Sequence, residues 1–115
     1  MSNNTITAAE ALNIAKLITP TEQGIASRVL ARTTGGNLTL FAFDEGQGLS
    51  EHSAPFDALV QVIEGELRLI IDGKPVIATP GTLVRMPANI PHSVEAPKPA
   101  KMLLIMLREI TLKAE

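Results

Sequence analysis

From Ile25 onward the apolar residues arrive in short runs, each closed by a turn signal: Thr34-Gly-Gly-Asn37, Asp44-Glu-Gly-Gln-Gly48, Glu64-Gly65, Asp72-Gly73, Pro80-Gly81 and Pro97-Lys-Pro99. Such punctuation leaves room for strands and none for long helices, because Gly and Pro interrupt any helical period before it can complete several turns. The sharpest local signal is Leu67–Ile71, Asp72-Gly73, Lys74–Ala78: Asp-Gly supplies both positive-φ residues of a type I′ turn, so a hairpin is expected there. Nowhere do strands alternate with helical stretches, which excludes a parallel sheet with helical crossovers. About eight strands are expected, the number of a jelly roll or small closed barrel.

Ahead of this region the pattern differs. Thr7-Ala-Ala-Glu10 has the form of a capping box, and Leu12, Ala15 and Leu17 or Ile18 recur at helical spacing until Thr19-Pro20. A short amphipathic helix, Ala8 to Ile18, is therefore expected. It places a helical segment over 1–24, packed on a barrel domain over 25–115. The last run, Ala100 to Ile110, with Met102 to Leu107 apolar throughout, reads as a strand covered on both faces.

With 115 residues, 45% of them apolar and 19% charged, the chain suits one domain with a real core. Three Phe and no Trp or Tyr leave the core to aliphatic side chains and make stacking on bases an unpromising mode. A net charge of −2 with scattered Lys and Arg argues against nucleic acid as a partner. The absence of cysteine rules out disulfides, thiolate metal sites and thiol catalysis, so any metal must rest on nitrogen and oxygen. The polar opening and the shortness of every apolar run argue against a membrane partner, and the expectation is a cytoplasmic protein.

The chain has two histidines, and both fall within a spaced set of glycines and prolines. Gly46 precedes His52 by six positions and Gly65 follows His52 by thirteen; Gly81 precedes Pro87 by six, and His92 follows Pro87 by five. These residues resemble the two motifs of the small single-domain cupins, the cupin type 2 or conserved-barrel family: G-x5-H-x-H-x3-E-x6-G and G-x5-P-x-G-x2-H-x3-N. The resemblance implies an all-β fold, a cupin jelly-roll β-barrel with a short N-terminal helix, and a cavity in which two His and a Glu from the first motif and a His from the second hold iron, manganese, zinc or nickel. It also implies a homodimer built through outer sheet faces and N-terminal segments. His52 and His92 stand in the first and last of the ligand places. Ala54 replaces the second His, Ala58 the Glu, Ala96 the trailing Asn, and Asn89 the glycine of the second motif.

Alanine offers no lone pair, so a divalent metal is expected to bind weakly or not at all unless a neighbour compensates. Glu51, Asp57 and Gln61 are the candidate helpers. Strand alternation turns them away from the face that His52 and position 58 share, and only a bulge or slip near Pro55 reverses that for Asp57 and Gln61. Met86 reads as core filler, and Arg68 and Arg85 as solvated outer-face residues. Three functions fit the pattern. One is binding of a small-molecule ligand by His52 and His92 in an aliphatic pocket. Another is a metal-dependent enzyme of oxygenase, isomerase or decarboxylase type with substitute ligands. The third is metal-free acid–base chemistry by the two imidazoles.

Overall fold

A computed structural model of the chain describes residues 5–109. Nine strands form within them: β1 (Ile25–Thr33), β2 (Gly36–Phe43), β3 (Gly48–His52), β4 (Asp57–Glu64), β5 (Leu67–Ile71), β6 (Lys74–Ala78), β7 (Leu83–Met86), β8 (His92–Glu95) and β9 (Ala100–Leu107). They assemble into two antiparallel sheets, ordered β1-β2-β9-β4-β7 and β3-β8-β5-β6. The all-β barrel expected from the sequence is the fold observed, with one strand more than expected. Among the described residues, no helix is long and apolar enough to cross a membrane.

The β5–β6 hairpin forms where Asp72-Gly73 predicts it, with φ of 52° and 77° at the two turn residues. Asn89, which replaces a motif glycine, takes the left-handed conformation at φ 64°. Gly65 is required on two counts: its φ is 75°, and a Cβ there would run into the carbonyl oxygen of Pro99.

Strand alternation divides the apolar residues into two layers. Phe43, Ala58, Val60, Val62, Leu67, Leu69, Met86, Val94 and Met102 point between the sheets and fill the barrel with aliphatic side chains, all 5% exposed or less. On the outer face of the five-stranded sheet, Leu30, Leu40, Ala42 and Leu103 form a second layer with Ile18. That explains the absence of alternation in β9. This central strand, hydrogen-bonded to β2 and β4, sends Met102 inward and Leu103 outward, and both are buried.

The cover on the outer layer comes from the N-terminal segment, but it is not the helix expected over Ala8 to Ile18. Only a single turn of 3-10 helix forms, Ile14–Lys16, capped by the Asn13 side chain, which accepts from the backbone N–H of Ala15. Ala9 sits at φ 60°, a conformation no right-handed helix contains, so the capping-box sequence is not used as one. The segment is tied down piecewise instead. The Ile6 N–H donates to the Leu30 carbonyl, the Arg28 guanidinium to the Leu17 carbonyl and the Lys101 ammonium to the Ala15 carbonyl. Ile6, Ile14 and Leu17 then pack beside Ile18 on the sheet. An extended strap follows the sheet more closely than a rod does, and tertiary burial outweighs a helix propensity of a few tenths of a kcal/mol per residue.

Candidate functional site

His52 ends β3 and His92 begins β8, and the two are direct cross-strand partners. The ladder between these strands is regular from Gly48 to Leu49, and its register shifts before His52. Glu51 lies in this irregular stretch and is exposed. The shift brings His52 opposite His92 on the face that carries Leu49 and Val94, so both imidazoles lie at one end of the barrel. Their centroids are 4.4 Å apart, with ring planes at 70°. His92 is 5% exposed, whereas His52 lies open at the rim.

Each ring is oriented in the same way. The Nδ1 of His52 lies 2.9 Å from the Ser50 carbonyl oxygen, and the Nδ1 of His92 lies 3.1 Å from that of Ile90. A carbonyl only accepts, so in the neutral rings both Nδ1 atoms carry the proton and donate it, leaving both Nε2 atoms with free lone pairs. No buried side-chain nitrogen or oxygen among the described residues lacks a partner, so the unpartnered Nε2 of His92 is not sealed in the core. Burial holds the His92 pKa below the ordinary imidazole value. The hydrogen bond to Ile90 opposes this, and the neighbouring His52 adds to it.

The candidate helpers are not brought to this pair. The Asp57 carboxylate accepts from the Arg85 guanidinium at 2.8 Å and from the Ala88 N–H at 2.9 Å. Those two bonds, the backbone one first, hold its pKa below the usual carboxylate value. Gln61 is exposed in β4 opposite Leu83 and Leu103, on the outer face, as plain alternation requires. Ala58 lies on the inner face beside Met86 and is 5% exposed. Met86 is core, as expected, and Arg68 faces solvent 3.9 Å from Glu95.

What sequence reasoning missed is how the loop between β7 and β8 is anchored. It is held by Asp57 at Ala88, by Ala54, whose carbonyl accepts from the Asn89 N–H, and by Asp72, whose N–H donates to the Pro91 carbonyl. Pro87 and Asn89 were visible as turn residues, but nothing in the sequence marks Asp57 as their anchor. A cleft of about 860 Å3 opens beside Phe56, Asp57 and Asn89. Neither imidazole lines it; Asp57 is already paired, and the guanidinium of Arg108 stacks 5.3 Å from the Phe56 ring.

A two-sheet antiparallel jelly roll is the architecture of the cupins, and comparison with known proteins agrees. The chain belongs to the Cupin_2 family, whose cupin domain profile matches residues 39–106. It is similar to a conserved protein of unknown function from Streptococcus pyogenes, with 31% identity, 96% of this chain and 98% of that one covered, and a TM-score of 0.88. A cupin superfamily protein from Desulfitobacterium hafniense is 27% identical over 93% of this chain and 97% of its own, with a TM-score of 0.85. A cupin 2 conserved-barrel protein from Leptotrichia buccalis is 40% identical over 84% of this chain and 47% of its own, with a TM-score of 0.81. No match was found among curated proteins.

The metal that this family resemblance implies can be tested against the donors present. Two imidazoles on one ion at about 2.0–2.1 Å and at right angles to each other have centroids roughly 4.5 Å apart. The observed centroids, 4.4 Å apart, match that separation. Beyond the pair the set fails: among the described residues, no three His, Asp or Glu side chains come together as a metal site. Alanine stands in both remaining ligand places. The side chains present do not fit a resident ion.

Proposed function

We propose that this cupin binds a small molecule at the mouth of its barrel, with His52 and His92 as the recognition pair. The observation that carries this reading is the shared orientation of the rings, whose Nδ1 atoms are both committed to backbone carbonyls while both Nε2 atoms stay free. Such a pair, set over an aliphatic interior, accepts hydrogen bonds from hydroxyl or N–H groups of a ligand and is held in position to do so.

The metal-dependent alternative requires a substitute for Ala54 or Ala58, and Asp57, the best donor among the helpers, is already engaged with Arg85 and Ala88. Elemental analysis of protein purified without chelator separates the two readings. Sub-stoichiometric iron, manganese, zinc and nickel are expected; one ion per chain favours the enzyme. Screening metal-free protein against polyols, hydroxy acids and amines tests the ligand reading directly. The 15N resonances of the Nε2 atoms should shift on binding, and a panel that leaves both unmoved counts against it.

A further inference from the structure

The cleft of about 860 Å3 beside Phe56 falls within the range of roughly 300–1,000 Å3 typical of small-molecule sites. Its walls are the loop ahead of β4, with Pro55 and Phe56, the loop between β7 and β8, with Ala88 and Asn89, and the end of β9. Backbone hydrogen bonds hold these walls. The Asn89 N–H donates to the Ala54 carbonyl at 2.7 Å, the Arg108 N–H to the Gly35 carbonyl at 2.7 Å, and the Ala88 N–H to the Asp57 carboxylate at 2.9 Å. The cleft is therefore formed before any ligand arrives.

Its charged groups differ in what they have left to offer. Asp57 is engaged by Arg85 and Ala88. The Arg108 guanidinium lies over the Phe56 ring, 5.3 Å from the centroid, and among the described residues neither a carboxylate nor a carbonyl accepts from it. A guanidinium stacked on a ring keeps its N–H edge for a planar acceptor, and a carboxylate matches that edge with two parallel hydrogen bonds. Leu107, 51% exposed, adds apolar surface beside it. Glu109 also lines the cleft, has no ion pair among the described residues, and repels a second negative charge in a space of this size. From this we infer that the cleft is a second binding site, for a small monocarboxylate with an apolar body. The carboxylate takes the guanidinium edge of Arg108, and the body lies against Leu107 and Pro55. This site is independent of the histidine pair, because neither imidazole lines the cleft.

Phenylacetate and its neutral isostere phenylacetamide are direct probes. Titrating 15N-labelled protein with phenylacetate at neutral pH should give saturable shifts of the Ala88 and Asn89 amides and of the Arg108 Nε–H, while the ring nitrogens of His52 and His92 stay in place. Phenylacetamide should bind roughly tenfold more weakly or worse, since it gives up the charged hydrogen bond. Arg108→Gln should weaken phenylacetate binding by a similar factor. Arg108 is exposed, so the variant should keep the parent fold, which the rest of its 15N spectrum checks. Phenylmalonate, with a second carboxylate, should bind the parent less well than phenylacetate; tighter binding overturns the assignment to a single charge. The inference is overturned if no saturable shift appears at these three positions, if acid and amide bind alike, or if Arg108→Gln binds as the parent does. Should phenylacetate move only the histidine nitrogens, the cleft inference fails and the reading at the barrel mouth stands.

Discussion

The carboxylate of Asp57, at the start of β4, accepts a hydrogen bond from the backbone N–H of Ala88, four positions before His92. Its other oxygen is held by Arg85, so the turn that delivers the buried imidazole is fastened to the neighbouring sheet. Asp57→Ala should therefore do more than remove a surface ion pair, which alone is worth little. The Ala88 N–H loses its acceptor and the loop loosens. The melting temperature should drop by about a few degrees, and the Nε2 resonance of His92 should move while the far-ultraviolet spectrum stays that of the parent. An unchanged His92 resonance would show that Asp57 does not position the ring.

Acid should destabilise the fold through two carboxylates. Asp44 accepts from the backbone N–H groups of Gln23 and Glu45, and Asp57 from Ala88 and Arg85; both have pKa values lowered from 3.8 in the folded state. A lowered folded pKa means that the unfolded chain binds more protons in the window between the two values, so stability rises with pH there. This contribution is complete above about pH 3.8 and is lost as the pH falls through the folded values. Urea midpoints measured from neutral pH downward should fall on this schedule. Asp44→Asn should flatten the acid side of the curve; an identical slope in that variant would contradict the assignment.

Restoring the missing donors tests how the motif maps onto the barrel. Ala58 is buried against Met86, so Ala54→His with Ala58→Glu places an unpaired carboxylate in the core, at a cost of roughly 1–3 kcal/mol without metal. Zinc or manganese should return that stability and bind at least about a hundredfold more tightly than to the parent, since two nitrogens become a full donor set. A double variant with parental affinity would mean that positions 54 and 58 do not face the imidazoles.

We expect a homodimer through the outer face of the five-stranded sheet. The N-terminal strap covers the Leu40–Leu103 region, but Leu83 in β7 and Leu107 at the end of β9 remain 60% and 51% exposed. Sedimentation equilibrium at micromolar concentration should give twice 12.2 kDa, and Leu83→Glu should shift the species toward monomer. A parent protein that sediments as a monomer removes the expectation.

The elements readable from the sequence were those fixed by local chemistry. Asp72-Gly73 admits one kind of turn, and the spacing from Gly46 to Gly65 and from Gly81 to His92 put both histidines at motif positions, which the structure brings together as partners on adjacent strands. Where the sequence misled, the outcome depended on distant partners. The capping box at Thr7 is a sound local signal, yet Ala9 turns left-handed because Ile6, Ile14 and Ile18 find a better fit as separate contacts on the sheet. The same holds at the site. The fixed tautomers depend on where the Ser50 and Ile90 carbonyls fall after a register shift in β3 and a three-point loop, and no residue spacing encodes either.

The position of β9 bears on when this protein can fold during synthesis. β9 is the last strand among the described residues and the middle strand of its sheet, bridging β2 and β4, and its Lys101 also reaches back to Ala15. On the ribosome, β1 and β2 emerge early but have nothing to join them to β4 until residue 107 has cleared the exit tunnel. The nascent chain must wait with the exposed edges of β2 and β4 unpaired, which is the condition that recruits holding chaperones. The five-stranded sheet should therefore close only once β9 has emerged, and a ribosome stalled before β9 should present a protease-sensitive polypeptide.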